Sequence, residues 1–131
     1  MIFLKKREEF LIIFLTGAFV YGLTEVLFRG FTHWTMALTG GFAFLLIYIV
    51  NLKAKNKGLF FKCIMGCLII TSLELVVGII VNRQFNLNVW DYSGQSFNLL
   101  GQICPLFSFL WFLISFPAIL LSKFMKKKLQ F

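Results

Sequence analysis

Glu25 and Glu74 stand inside apolar runs of this chain, where a carboxylate costs roughly 2.5 to 3.5 kcal/mol on membrane-insertion scales. A carboxylate at that depth can hold a cation, accept hydrogen bonds or exchange a proton. Arg29 follows Glu25 by four residues, so the two can form an ion pair along one helix face. Glu74 has no cation within a turn of its own helix. Its expected partners are Arg29 or Arg83 across the bundle, the amides of Asn98 and Gln102, or a proton, because burial favours the neutral acid. His33 and Trp34 follow the first glutamate, and Asn88, Trp90, Asp91 and Tyr92 follow the second. Trp and Tyr at such positions commonly serve as interfacial anchors. His33 reads as a hydrogen-bonding loop residue rather than a ligand or proton carrier, and Asp91 as a cap of the outer structure or a partner for Arg83. One histidine and no persuasive nucleophile leave no catalytic set, so no enzyme is expected. Cys63 and Cys67 lie one turn apart, but His33 is placed across the membrane from them; no metal site, disulfide or cofactor is expected, and the thiols read as small hydrophobes.

The elements that must carry these residues are membrane helices. Of the 131 residues 60% are hydrophobic and 14% charged, against roughly 25% charged in soluble domains. Four apolar runs, 10–28, 36–52, 59–81 and 97–121, each approach or exceed the ~17 residues needed to cross hydrocarbon. The expected fold is all-α, a single polytopic domain over residues 1–131 with four transmembrane helices. The first run reads as a retained helix rather than a signal peptide, since it is long and lacks a small-x-small cleavage site.

Eleven of the thirteen Lys and Arg lie before run one, around the second connection or after run four, and only Arg29 and Arg83 lie elsewhere. The positive-inside rule then places both termini in the cytoplasm, in the cell membrane. The net charge of +8 fits this topology and contact with anionic headgroups rather than nucleic acid.

Thr24-Glu25-Val26 and Leu73-Glu74-Leu75 are each followed by an arginine and a tryptophan, then by Leu38-Thr39-Gly40-Gly41 and Leu99-Leu100-Gly101-Gln102. This pattern reads as two parallel-repeated helical hairpins, an arrangement that in transporters puts sites between the halves. Helical spacing aligns Tyr21, Gly22, Glu25 and Arg29; Cys67, Thr71, Glu74, Gly78 and Asn82; and Asn98, Gly101, Gln102, Pro105 and Ser108. Pro105 inside run four is expected to free the Gly101 carbonyl beside Gln102 and Asn98, making a polar pocket in the outer half. Pro117 reads as shape only.

The segments Tyr21-Gly22-Leu23-Thr24-Glu25-Val26-Leu27-Phe28-Arg29-Gly30 with His33-Trp34, Leu73-Glu74-Leu75 with Gly78 and Asn82, and Asn88-Val89-Trp90-Asp91-Tyr92-Ser93 leading to Asn98 and Gly101-Gln102-Ile103-Cys104-Pro105 resemble a family of small bacterial membrane proteins. That family is called putative ABC-transporter permeases, type IV or CmpB-like. Ser96 stands where the resemblance leads one to expect proline. The resemblance implies a polytopic membrane protein of transporter type and names no solute. The chain has no GxxxxGK[ST] phosphate loop, so ATP hydrolysis would need a separate protein. Four helices are few for a complete path, which points to a homo-oligomer or a second membrane subunit.

The leading expectation is a small transporter or permease-like subunit binding a polar or cationic solute, or protons, at Glu25, Glu74 and Arg29. The alternative is a non-transporting accessory protein that binds a ligand or lipid. A proton-coupled small multidrug exporter, suggested by Glu25 on the first of four short spans, ranks below both.

Overall fold

In the computed structural model residues 2–3, 6–30 and 32–130 are described, with backbone only at 2, 3, 6, 28, 29, 129 and 130. Four helices follow one another: α1 Lys6–Arg29, α2 Trp34–Lys53, α3 Leu59–Gly78 and α4 Pro105–Lys128. A π-helical turn, Ile79–Gln84, extends α3. All four are long and apolar enough to cross a membrane, the third as the continuous segment Leu59–Gln84. At the termini, two-residue strands β1 (Ile2–Phe3) and β2 (Leu129–Gln130) pair in parallel, so the chain begins and ends at the same end of the bundle.

Local chemistry sets the helix ends. Gly30, at φ +83, closes α1 by donating its N–H to the Val26 carbonyl at 2.8 Å, a left-handed stop that glycine adopts freely. His33 caps α2, its Nδ1 accepting from the Thr35 N–H at 3.3 Å. Pro105 is the first residue of α4, where its missing N–H costs nothing and its fixed φ suits the helix. The apolar run from Phe97 therefore opens as loop, not helix. Phe97, Leu100 and Gly101 all have positive φ, which no α-helix accommodates. Consequently Asn98, Gly101, Gln102 and Pro105 do not form the expected helical stripe. The Gly101 carbonyl is left by the loop rather than by a proline kink, and it accepts the Tyr92 N–H at 2.7 Å.

Packing pairs α1 with α2 and α3 with α4, and α2 also meets α3 and α4. Glycines make this possible. A Cβ on Gly40 of α2 would lie 2.5 Å from the Tyr21 Cβ, and one on Gly17 of α1 would lie 2.8 Å from the Gly40 carbonyl oxygen. Helices in lipid gain little from apolar burial, so such close approach supplies the van der Waals contact that holds them. Across α3 and α4, Thr71 Oγ1 and Ser108 Oγ share a hydrogen bond of 3.0 Å, and Gly66 lies against Ser115. At the terminal end Ile13, Phe44 and Tyr48 form a buried cluster, with Ala118, Leu121 and Met125 of α4 packed on it.

The same end holds a further carboxylate, and this one is buried. Glu9 is 2% exposed, accepts a hydrogen bond from the Tyr48 hydroxyl and pairs with Lys126 Nζ at 3.5 Å. Nearby, Asn51 Nδ2 donates to Ser122 Oγ and to the Ile119 carbonyl. Helices α1, α2 and α4 are thus tied by polar contacts at the terminal end.

The loop between the π-turn and α4 folds back over the opposite end. Asn82 fixes it: its Oδ1 accepts from the Val89 N–H at 2.7 Å and the Trp90 N–H at 3.4 Å, and its Nδ2 donates to Gln102 Oε1 at 2.8 Å. Widening to a π-turn, with Phe85 N–H bonding the Ile80 carbonyl five residues back, occurs where the helix yields to this loop. Such turns often accompany functional sites. Val89 and Trp90 then bury against Met36 and Val81. Asn82→Ala is expected to leave buried N–H groups unsatisfied, at about 2 kcal/mol. Amide exchange confined to residues 85–104 should accelerate about thirtyfold, and unchanged exchange would show that Asn82 does not hold the loop.

Candidate functional site

Helices α1 and α4 meet through side chains at two levels, Glu9 with Lys126 and Tyr21 with Trp111, whose ring centroids are 6.4 Å apart. Beyond the Glu9–Lys126 level, reaching past Tyr21 and Trp111 to Glu25 and Trp90, lies a cavity of about 830 Å³, within the range of small-molecule sites. Its floor is α2, through Thr39, Gly40 and Ala43, and its rim includes Val20, Leu110 and Ile114, all exposed on the bundle's surface. The cavity therefore opens sideways, between α1 and α4, onto the surface that four membrane-length helices present to lipid.

Glu25 and Glu74 both line it and are close enough to interact electrostatically. Tyr21 Oη donates to Glu25 Oε1 at 3.0 Å, one turn along α1. Glu74 is 6% exposed. Its Oε1 accepts from the Tyr92 hydroxyl at 3.3 Å, while its Oε2 is buried with no hydrogen-bond partner. The buried indole N–H of Trp111 lies beside Glu74 and favours its carboxylate, though short of good hydrogen-bond geometry. A donor and an acceptor thus lie side by side at the cavity's edge, both shielded by the protein. Buried polar atoms are almost always paired.

An aromatic arc surrounds the carboxylates. Tyr92 stacks on Phe107 at 4.6 Å with ring planes 6° apart, Phe107 leans on Trp111 at 6.5 Å, and Trp111 meets Tyr21. Trp90 lines the cavity from above, its Nε1 donating to the Gln102 carbonyl at 3.1 Å. Burial, and then the adjacent Glu74 carboxylate, push the Tyr92 phenol above its ordinary range, keeping it a hydrogen-bond donor.

The structure divides the residues expected at this site. Glu25, Glu74, Trp90 and Tyr92 are brought together. Gln102 is buried but committed elsewhere, accepting from Asn82 and donating to the Leu100 carbonyl at 2.8 Å; its side chain meets Gly78 rather than Glu74. Asn98 clamps its own loop, donating to the Ser93 and Gln95 carbonyls and accepting from the Gly101 N–H. Neither amide serves Glu74, because the segment 97–104 is loop rather than the turn of helix that would aim them inward. Asp91 is exposed and accepts the Ser93 N–H at 2.9 Å, a contact that holds its carboxyl below the usual range. His33 is occupied in capping, with Nδ1 2.7 Å from Thr35 Oγ1, and stacks on the exposed Trp34. The Arg29 side chain, and with it the expected pair to Glu25, lies outside the described residues. Among the described residues no group of three or more His, Cys, Asp or Glu could hold a metal, and Cys63, Cys67 and Cys104 are free thiols.

Sequence reasoning missed Trp111, Phe107 and the satisfied Glu9. Trp111 lies six residues into α4, about 9 Å from its start at 1.5 Å per residue, deeper than an interfacial anchor. That depth was the available signal.

No curated protein and no solved structure matches the chain. A family model does, over residues 1–130, and its description is Putative ABC-transporter type IV. With four membrane-length helices and a match across nearly its whole length, the chain is a multi-pass membrane protein belonging to that transporter-type family.

Proposed function

We propose that this protein is a small transporter or permease-like subunit whose cavity binds a cationic solute at Glu74, with Glu25 as the second carboxylate. The observation that carries this reading is Glu74 itself, a buried carboxylate that lines an 830 Å³ cavity and accepts one well-formed hydrogen bond, from Tyr92. One hydrogen bond from Tyr92 contributes roughly 0.5–1.5 kcal/mol, less than the roughly 2.5–3.5 kcal/mol that placing such a group in a membrane costs. Glu9 supplies the contrast, since its carboxylate has both a hydroxyl donor and a lysine. A cation entering the cavity would give Glu74 what Lys126 gives Glu9. The site binds its solute and does not transform it.

With both termini cytoplasmic, as the lysine distribution supports, the site lies in the outer half of the cell membrane. A homo-oligomer or another membrane subunit completes the path, and any ATPase is a separate chain.

The test is uptake of small organic cations into proteoliposomes. Glu74→Gln is expected to reduce flux at least tenfold while leaving the protein monodisperse; undiminished flux would remove Glu74 from the mechanism. The sideways opening favours one second reading, a non-transporting membrane protein that holds an amphiphilic ligand. Saturable, Glu74-dependent binding with no flux under any gradient would select it.

A further inference from the structure

We infer that the ligand is an amphiphilic cation, which reaches the site from the lipid through the gap between α1 and α4 and lies with its apolar body in the cavity and its charge at Glu74. The inference rests on the proposed binding role of Glu74 and adds the ligand's second half and its route.

Three independent features lead there. The first is the character of the space. Below the carboxylates the walls include Ala43, Phe44, Ile47, Ile114, Ala118 and Leu121, and the Thr16 hydroxyl there is spent on the Ile12 carbonyl. A strongly hydrated ion would leave most of this volume unused, whereas an apolar body fills it and removes it from lipid or water.

The second is charge. Among the described residues that line the cavity there is no Lys, Arg or His, and the buried Glu74 is there. Glu74 lines the space from α3, with Tyr92 and Trp111 beside its carboxylate. The aromatic rings of Tyr21, Trp90, Phe107 and Trp111 line the same space, and aromatic rings attract cations through their negative faces. Aromatic walls with a carboxylate suit a poorly hydrated organic cation, quaternary ammonium or phosphonium, better than a metal ion, which requires several oxygen ligands.

The third is access. The distal loop roofs the cavity through Trp90, pinned by Asn82 and Gln102, and the buried Ile13, Phe44 and Tyr48 cluster with the Glu9–Lys126 pair closes the terminal end. Between these ends, α1 and α4 leave the exposed Val20, Leu110 and Ile114 around an opening. An amphiphile dissolved in the bilayer meets this opening directly, without crossing either aqueous face.

The probe is tetraphenylphosphonium, compared with tetramethylammonium, which has the charge without the apolar bulk. Equilibrium binding is measured to the full chain in lipid nanodiscs, with Glu74→Gln discs defining partition into lipid. Saturable tetraphenylphosphonium binding is expected, weakened at least tenfold by Glu74→Gln and at least fivefold by Ile114→Trp or Leu110→Trp, which narrow the opening from its exposed rim. Tetramethylammonium is expected to bind at least tenfold more weakly. Equal binding of both cations with no effect of the rim variants would overturn the amphiphile and its lateral route while keeping the Glu74 site. Absence of any Glu74-dependent binding of either cation would overturn both. The two rim variants stand in for each other should one fail to fold.

Discussion

Glu74→Leu is expected to stabilise the folded bundle by about 1–3 kcal/mol while abolishing ligand binding, and Glu9→Leu to destabilise it by about 2 kcal/mol. The signs differ because the surroundings differ. Burying an incompletely hydrogen-bonded carboxylate is costly and an apolar side chain removes that cost; one Glu74 oxygen lacks a well-formed hydrogen bond. The Tyr92 hydroxyl loses its acceptor in that variant, which offsets part of the gain. Glu9 is satisfied, so its removal strands the Tyr48 hydroxyl in a fully buried position, at roughly 1–3 kcal/mol. Lys126 is 42% exposed, so its half of the pair adds little beyond this. Midpoints of SDS-induced unfolding of the two variants test the contrast. A destabilised Glu74→Leu would show that the carboxylate is a structural tie, and the functional reading would lose its main support. Stability surrendered at a site is a common signature of function.

Gly40→Leu is expected to prevent formation of the α1–α2 pair, lowering stability by at least about 3 kcal/mol. An added Cβ would meet Tyr21 at three atoms between 2.5 and 2.9 Å. Tyr21 cannot simply swing away, since its hydroxyl holds Glu25 and its ring abuts Trp111. Overpacking of a tight interface typically costs 1–3 kcal/mol, and here the backbones themselves must separate. Gly40→Ala should lie between wild type and Gly40→Leu. Gly94→Ala provides the control, because a Cβ there meets nothing within 4 Å. The yield of monodisperse protein and the SDS midpoint report the result; a normally folded Gly40→Leu would contradict the close α1–α2 packing.

The helices were legible because length and hydropathy alone decide them in lipid. Helices α1, α2 and α3 begin and end near the limits of their apolar runs. The start of α4 was not, because Phe97, Leu99 and Leu100 continue the apolar run while adopting loop conformation. Pro105 marked the true boundary, read there as a kink rather than as a first turn. Of the site, Glu25 and Glu74 were legible as costly residues. Their partners were not. Tyr92 reaches Glu74 only because the loop folds back over the bundle, a path set by Asn82 and the π-turn, neither of which has a periodic signature. Trp111 went unread because tryptophan in a span suggests an interface. Glu9 went unread because it follows Lys5, Lys6 and Arg7 and looks like part of a charged leader, although folding buries it beside Tyr48.

The most direct measurement is a density map of the protein purified gently in native lipid. It should show α1 and α4 apart above the Glu9–Lys126 pair, with non-protein density between them that reaches Glu74. Helices α1 and α4 closed on each other, with both oxygens of Glu74 bonded to protein groups and no cavity beside them, would contradict the binding role.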